Sequence, residues 1–287
     1  MIKIGTCVKG NEFYTNLSSV AEIGFESIQL YFPASLNGFN IENQQEIIDH
    51  LKRNGIKMNS IGLYCNPLQN SSSREEIIKC LKNGAKLGID VFSTFAGAIE
   101  NGTVDGALPL FKKYFSEFLE IAKDHNIKIA IENYPAYGFW YNTRSNIGFC
   151  PRAWEMMFNE IDDEYLGLEW EPSHQIDQFI DPIKQLKKWA HKIVHVHGKD
   201  CHVDKELLAE VGTLSCLNYS SHRFPGFGDT NWIDVFNTLN RKEYQGSITI
   251  EGYHDPIYCN EKELEGQKLA FEYLKQCRAS AYQPAVP

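Results

Sequence analysis

The amino-acid sequence predicts an α/β protein that folds as a single (β/α)8 TIM barrel. Eight short runs rich in β-branched residues alternate with amphipathic stretches along the chain, which is the pattern of repeated βα units around a parallel sheet. A chain of 287 residues with 43% hydrophobic content is long enough for one such barrel. No proline-, glycine- or serine-rich linker interrupts the series, so we expect one domain over residues 1–287.

The strands and helices alternate in the order that a barrel requires. The predicted strands cover residues 2–6, 27–31, 58–63, 91–95, 128–132, 166–171, 193–197 and 247–251. The predicted helices cover residues 17–23, 42–54, 74–87, 104–125, 151–160, 182–191, 232–239 and 261–277. In the second helix, Ile47, Ile48 and Leu51 recur at three- and four-residue spacing and form one apolar stripe. The helices are therefore expected to cover the outside of the barrel.

Glycines mark several of the joints between a helix and the next strand. Gly24, Gly55 and Gly88 each stand where a helix end needs a left-handed residue. Residues 201–229 form a long segment before the last βα unit and are expected to be a functional loop. The tail, residues 279–287, consists largely of small and apolar residues with two prolines and is expected to be loosely ordered.

Composition argues against several classes of partner. The 28 Lys and Arg residues against 37 Asp and Glu residues give a net charge of −9 without a polybasic run, so we expect no binding to nucleic acid. The chain begins with a predicted strand instead of a signal peptide, and no apolar stretch approaches the ~18 residues of a membrane span. A cytoplasmic protein without membrane contact is expected. The eight cysteines contain no C-x-x-C pair and are expected to be reduced thiols.

Ionisable residues close four successive predicted strands, at Glu132, Glu171, His197 and Glu251. In a parallel barrel, the carboxyl ends of the strands converge on one rim. Three carboxylates and an imidazole brought together there repel one another unless a cation lies between them. We therefore predict that these four residues hold one divalent metal ion. Three oxygen ligands and one nitrogen favour Mn²⁺, with Mg²⁺, Co²⁺, Zn²⁺ and Fe²⁺ as alternatives.

Residues near these strand ends are predicted to contact a carbohydrate substrate. Polar groups at the rim can bond to hydroxyl, carbonyl or phosphate oxygens, and flat aromatic faces commonly line pockets for sugar rings. The predicted substrate contacts are His174, Lys199, Arg223, Tyr134 and Trp170.

Two further residues are predicted to lie behind the metal ligands. His195 precedes His197 by two residues and shares its strand face one layer deeper in the barrel. It is expected to be either an interior histidine with its hydrogen bonds satisfied or a residue that supports a metal ligand from behind. Asp200 follows at the rim and is expected to orient a ligand histidine.

At these residues the chain resembles the xylose isomerase-like TIM-barrel superfamily, the sugar phosphate isomerase and epimerase group that includes ketose 3-epimerases and inosose dehydratases. The resemblance covers nearly the whole chain and follows the family's order and spacing. The matching motifs are I-E-N at 131–133, E-P-S-H at 171–174, V-H-G-K-D at 196–200, R-F-P-G-F-G at 223–228 and T-I-E at 249–251. It implies metal ligands at Glu132, Glu171, His197 and Glu251, acid and base roles for Glu132 and Glu251, and substrate contacts at His174 and Arg223.

Two positions depart from the family's pattern. Glu171 stands where the family usually has aspartate, and its extra methylene is expected to affect the metal or its coordination. The sequence G-Y-H-D-P after Glu251 differs from the commoner acidic pattern, so an unusual substrate pocket is expected there.

The resemblance implies a metal-dependent isomerase or epimerase of a sugar or sugar phosphate. A metal that bridges the carbonyl and a neighbouring hydroxyl would stabilise an enediolate, while Glu132 and Glu251 remove and return the proton. One alternative is a lyase or dehydratase that uses the same site on a cyclitol or keto-glycoside. Less favoured alternatives are a non-catalytic metal-binding subunit and an apurinic endonuclease, which needs further histidines at earlier strand ends. Relatives often form dimers or tetramers, so a homo-oligomer is also expected.

Overall fold

The protein, analysed as a computed structural model, is described over residues 1–215 and 217–282. The strands in these ranges are β1 (Lys3–Lys9), β2 (Ser27–Phe32), β3 (Met58–Leu63), β4 (Val91–Thr94), β5 (Lys128–Glu132), β6 (Leu166–Trp170), β7 (Ile193–Gly198), β8 (Asp200–Val203), β9 (Ser220–Arg223) and β10 (Ser247–Ile250). The α-helices are α1 (Phe13–Ile23), α2 (Gln44–Arg53), α3 (Ser71–Leu87), α4 (Val104–Asp124), α5 (Pro151–Glu160), α6 (Ser173–Ile176), α7 (Pro182–Trp189), α8 (Lys205–Val211), α9 (Trp232–Arg241) and α10 (Glu263–Ser280).

Eight of these strands form a closed barrel, in the order β1, β10, β7, β6, β5, β4, β3, β2. The described pairs of neighbouring barrel strands are parallel, so the predicted (β/α)8 fold class is confirmed. β8 and β9 form a separate antiparallel pair, which lies almost entirely within residues 201–229, the segment expected to be a loop. Four-residue strands with few apolar residues leave only a weak pattern in a sequence, which explains why this pair was missed.

The chain packs as two compact units. The larger unit contains residues 7–170 and 192–196, with strands β2 to β6 and most of β7. The smaller unit contains residues 1–6, 171–191 and those from 197 onward, with β10, the β8–β9 pair and helices α6 to α10.

In the larger unit, parallel strands carry fully buried aliphatic side chains that helices cover. Ile61, Ile129 and Leu168 have no exposed surface. Helix α4 contributes Phe111 and Phe115, which are also fully buried and whose rings lie 4.6 Å apart. Burial of such side chains contributes about 1.5–3 kcal/mol each.

In the smaller unit, residues 3–6 of β1 pair with residues 247–250 of β10. Trp232 and Phe236 of α9 are fully buried, as is Leu274 of α10. Helix α10 ends at Ser280, so Ala279 and Ser280 belong to a helix and not to the predicted loose tail. Residues 283–287 of that tail lie outside the described residues.

Local sequence explains where several helices begin and end. Thr103, Asp181 and Asn231 precede α4, α7 and α9, and each side chain accepts a hydrogen bond from the backbone N–H three residues later, as N-cap residues do. Gly24 and Gly88 end α1 and α3 with φ of 94° and 85°, which confirms the predicted left-handed C-caps.

None of the helices in the described ranges combines the length and hydropathy needed to cross a bilayer.

The cysteines of the described residues are free thiols, as predicted: Cys7, Cys65, Cys80, Cys150, Cys201, Cys259 and Cys277. Cys216 lies outside the described residues.

Candidate metal and substrate site

Three of the four predicted metal ligands lie together in the smaller unit. Glu171 follows β6, His197 lies near the end of β7, and Glu251 directly follows β10. His197 Nδ1 lies 3.3 Å from Glu171 Oε2 and 3.4 Å from Glu251 Oε2. The side chains of Glu171 and His197 are fully buried, and that of Glu251 is 5% exposed. One ligand atom of each residue therefore faces a common, water-poor position.

The charge of this group is only partly balanced. Lys199 Nζ lies 3.1 Å from Glu251 Oε1 and 3.7 Å from Glu171 Oε1. Burial alone would raise the pKa of Glu171, but the charges of His174 and Lys199 and hydrogen bonds from His174 and His197 hold that pKa well below its usual value. Glu171 is thus ionised at neutral pH. Lys199 lies beside the carboxylates of Glu171 and Glu251, and its role as a substrate contact stays a prediction.

The donor set fits a divalent cation. Glu251 Oε2 is buried and accepts no hydrogen bond from any residue in the described ranges, although an isolated buried carboxylate oxygen is costly. A cation bound among Glu171, His197 and Glu251 would satisfy that oxygen. Carboxylate oxygens with one imidazole nitrogen suit Mn²⁺, Zn²⁺ and related ions.

Glu132, the fourth predicted ligand, belongs to the larger unit. It is the last residue of β5, is 5% exposed, and pairs in parallel register with Glu169 of β6. Tyr134 follows two residues later, and its ring lies 5.6 Å from that of Phe95. The role of Glu132 as a ligand and that of Tyr134 as a substrate contact stay predictions.

The larger unit also contains a buried polar network that was not predicted from the sequence. Glu169 is fully buried and accepts hydrogen bonds from Gln29 Nε2 at 2.9 Å and from the Tyr64 hydroxyl at 2.8 Å. His195 is 1% exposed, and its Nε2 lies 3.9 Å from Glu169 Oε1. It is therefore an interior histidine, while its part in the site stays a prediction. Burial, followed by the charges of Glu169 and Glu132, raises the pKa of Tyr64 well above its usual value. The signal available in the sequence was the E-W-E pattern, which puts two glutamates on one strand face.

Trp170 and Asp200 differ from their predicted roles. Trp170 is fully buried, and strand alternation points it away from the face shared by Glu169 and Glu171, so it is a core residue. The carboxylate of Asp200 accepts hydrogen bonds from Thr230 Oγ1 at 2.6 Å and from Trp232 Nε1 at 2.9 Å. Asp200 therefore anchors the start of α9 instead of orienting a ligand histidine.

His174 extends the group of buried side chains around Glu171. Its Nε2 lies 3.0 Å from Glu171 Oε1, and its ring centroid lies 5.0 Å from that of His222. Burial, followed by the charges of His174 and Lys199, lowers the pKa of His222 to about 2, so His222 is neutral. His222 was not predicted as a site residue, because it lies in the short strand β9 that the sequence did not reveal.

Arg223 is held by a residue from the unusual G-Y-H-D-P segment. Its Nε donates to Asp255 Oδ2 at 3.0 Å, and the backbone N–H of Phe224 donates to the same oxygen at 3.0 Å. The backbone N–H groups of Ile257 and Tyr258 donate to Asp255 Oδ1, each at 2.8 Å. The terminal nitrogens of Arg223 make no hydrogen bond within the described ranges and are available to a ligand. The G-Y-H-D-P segment thus supplies the carboxylate that holds Arg223.

Replacing Asp255 by asparagine is expected to lower the free energy of unfolding by about 1.5–3 kcal/mol at pH 7, because hydrogen bonds to a charged group are lost. Burial alone would raise the pKa of Asp255, but the bonds from three backbone N–H groups and Arg223 lower it. Its contribution is therefore present above the ordinary aspartate pKa and is lost as pH falls through the lowered pKa. Urea unfolding from pH 7 to pH 3 should show the difference between wild type and Asp255→Asn shrinking. A difference that stays constant would contradict this assignment.

Known proteins share a family profile and the fold with this chain. The profile of the xylose isomerase-like TIM barrel family matches residues 17–277. Among curated proteins, inosose dehydratase of Clostridium tetani is 26% identical over 160 residues, which cover 55% of this chain and 50% of that protein. The chain thus spans about half the length of the curated relatives it matches.

Two solved structures share the fold over nearly their whole length. The 3-keto-D-glucoside 4-epimerase of E. coli superposes with a TM-score of 0.73 at 14% identity and covers 96% of this chain and 100% of that one. A D-psicose 3-epimerase superposes with a TM-score of 0.71 at 14% identity, covering 97% and 100%. At these identities the likeness shows the fold alone. The family profile spans most of the sequence, and the chain belongs to the xylose isomerase-like TIM barrel family.

Proposed function

We propose that this protein is a divalent-metal-dependent isomerase or epimerase of a sugar or sugar phosphate. The observation that carries the proposal is the buried group of Glu171, His197 and Glu251, in which a Glu251 oxygen accepts no hydrogen bond within the described ranges. Buried carboxylates that are not neutralised by hydrogen bonds or cations are unfavourable. A resident cation is the simplest way to compensate them, and Mn²⁺ is the favoured ion.

Glu132 is proposed as the fourth ligand. It ends β5 in register with Glu169, and Glu171 follows Glu169 by two residues. Side chains two residues apart in a strand share one face, and strand ends of a parallel barrel meet at one rim. This register supports the proposal that Glu132 and Glu171 serve the same ion.

The proton transfers of the proposed reaction are assigned to the carboxylates of Glu132 and Glu251. Glu132, Glu171, His197 and Glu251 would hold the metal, which would supply Lewis acidity next to the substrate carbonyl. Glu132 and Glu251 are proposed to face opposite sides of the sugar, where one removes the proton next to this carbonyl and the other returns it. The ammonium of Lys199, 3.1 Å from Glu251 Oε1, offsets part of the negative charge of the site.

His174 and Arg223 are proposed to orient the substrate. His174 Nε2 lies 3.0 Å from Glu171 Oε1, which fixes the imidazole beside the proposed metal ligand. Asp255 holds Arg223 through Nε, which leaves the terminal nitrogens to donate to a hydroxyl, carbonyl or phosphate oxygen.

Elimination at the same site is the second candidate reaction, and the similarity to inosose dehydratase favours it. The first step is the same, because a proton next to a carbonyl is removed. In elimination the electron pair then expels a hydroxyl or alkoxyl group from the β-carbon, and a double bond forms. Mass spectrometry of the products separates the reactions, since epimerisation and isomerisation conserve mass whereas dehydration loses one water.

Elemental analysis of the purified protein tests the metal site directly. We expect about one divalent ion per chain in the wild type after reconstitution with Mn²⁺, and a large loss in a Glu132→Gln/Glu251→Gln double variant. A matched Glu261→Gln/Glu265→Gln variant changes two exposed glutamates and is expected to keep the ion. Wild-type protein that binds no metal after reconstitution would overturn the proposal.

A further inference from the structure

A row of aromatic rings leads along the carboxyl ends of strands in the larger unit. Ring centroids lie 5.0 Å apart for Tyr31 and Tyr64, and 5.4 Å apart for Tyr64 and Phe95. The row continues at 5.6 Å from Phe95 to Tyr134 and at 6.0 Å from Tyr134 to Tyr137. The first three rings are buried, whereas Tyr137 is 84% exposed. The aromatic surface therefore runs from the barrel interior to solvent.

A cavity of about 480 Å³ lies at the exposed end of this row. Its walls come from the segments that follow β3, β4 and β5, and they include Asn66, Gln69, Glu100, Tyr137 and Arg144. The volume falls within the range of small-molecule sites. Tyr134, whose ring contacts Tyr137, follows the proposed catalytic Glu132 by two residues.

The walls of this pocket are held in place by their own hydrogen bonds. Asn66 Oδ1 accepts from the backbone N–H of Ala98 at 3.0 Å, and Gln69 Oε1 accepts from that of Glu100 at 3.0 Å. These bonds join the segments after β3 and β4. Gln69 Nε2 makes no hydrogen bond within the described ranges, so an amide donor is presented on a fixed wall.

The pocket is polar but balanced in charge. Its charged lining residues are Glu100 and Arg144, and Arg144 Nη1 lies 3.6 Å from Glu100 Oε1. The two charges cancel, and the carboxylate of Glu100 would repel a phosphate or carboxylate ligand. Amides, a paired carboxylate and guanidinium, and an exposed aromatic ring together suit a neutral molecule rich in hydroxyl groups.

The backbone at the pocket entrance is strained. Ala136 and Tyr137 have φ of 49° and 57°, in the left-handed region that is unfavourable for L-residues. Asn146 anchors the segment, since its Nδ2 donates to the backbone oxygens of Glu132 at 2.9 Å and Tyr134 at 2.8 Å. Strain of this kind persists where the surroundings impose it and is concentrated at ligand sites. Here the strained residues include Tyr137, whose exposed ring lies at the pocket entrance.

We propose that this pocket is a second sugar subsite, and that the substrate is a neutral glycoside whose non-reacting ring packs on Tyr137. The apolar face of a pyranose ring covers an aromatic ring, while its hydroxyl groups bond to amide and guanidinium groups at the edge. The assignment of this ring as the non-reacting part rests on the proposed function, which places the reacting ring by Glu132. The substrate class is thereby narrowed from sugars and sugar phosphates to glycosides of disaccharide size.

Isothermal titration calorimetry on the full chain tests the subsite. The probes are cellobiose, maltose, trehalose and sucrose, compared with D-glucose and D-glucose 6-phosphate. At least one disaccharide is expected to bind about tenfold more tightly than glucose, and Tyr137→Ala is expected to remove most of this difference. Tyr141→Ala is the matched control, because Tyr141 is 73% exposed on the same segment and does not line the pocket.

The experiments can contradict the proposed subsite without contradicting the proposed metal site, and the reverse. The Glu132→Gln/Glu251→Gln variant is expected to keep the preference for the disaccharide, and this result would support the subsite even if the protein bound no metal. The subsite proposal is overturned if no disaccharide binds more tightly than glucose, or if Tyr137→Ala binds like the wild type. Tighter binding of glucose 6-phosphate that is lost in Arg144→Ala would also overturn it, in favour of an anion site.

Discussion

Replacing Glu251 by glutamine is expected to slow the exchange of a substrate C–H proton with deuterated water by ~10²–10⁴-fold, the usual contribution of a positioned acid or base. Glutamine keeps the shape and size of the side chain but cannot accept the proton. The experiment follows exchange by NMR, with a ketose or keto-glycoside on which the wild type is active. Glu261→Gln, which changes an exposed glutamate, is expected to exchange at the wild-type rate.

The metal content of the same samples separates two causes of a slow rate. In Glu251→Gln, Glu171 and His197 still face one another at 3.3 Å, so excess Mn²⁺ should restore much of the ion. Slow exchange with the ion present would identify Glu251 as a proton-transfer residue. Exchange at the wild-type rate in Glu251→Gln would contradict the assignment.

Replacing Asp200 by alanine is expected to lower the free energy of unfolding by about 3–5 kcal/mol, because several buried donors lose one acceptor together. Asp200 is fully buried and accepts from the backbone N–H groups of Cys201 and Thr230, the hydroxyl of Thr230 and the indole of Trp232. Urea unfolding of both proteins at pH 7 measures the difference. Asp162→Ala removes a carboxylate that is 91% exposed and should change stability by less than about 0.5 kcal/mol.

The same contacts explain part of the R-F-P-G-F-G motif. A Cβ atom on Gly228 would lie 2.4 Å from Asp200 Oδ1, and one on Gly252 would lie 1.8 Å from the ring of Phe224. These glycines therefore allow close packing around Asp200 and Phe224. If Asp200→Ala unfolded at the same urea concentration as the wild type, this account of the motif would be wrong.

Much of the fold was predictable because its signals are local. Strand alternation, apolar stripes and glycine C-caps depend on residues a few positions apart. The predicted element bounds were wrong where the local sequence pattern was weak. The predicted first helix, 17–23, starts instead at Phe13, because a fully buried Phe13 anchors polar residues that by themselves resemble a loop.

The barrel class and the ionisable residues at the strand ends could be predicted from local sequence, because each strand end is recognised from the residues next to it. The contacts among buried polar groups depend on the folded structure. Glu169 meets Gln29 across 140 positions, Arg223 meets Asp255 across 32, and Asp200 bonds Trp232 across 32. No short pattern records such pairings, because a buried polar group is stabilised by whichever partner the fold brings within hydrogen-bond distance.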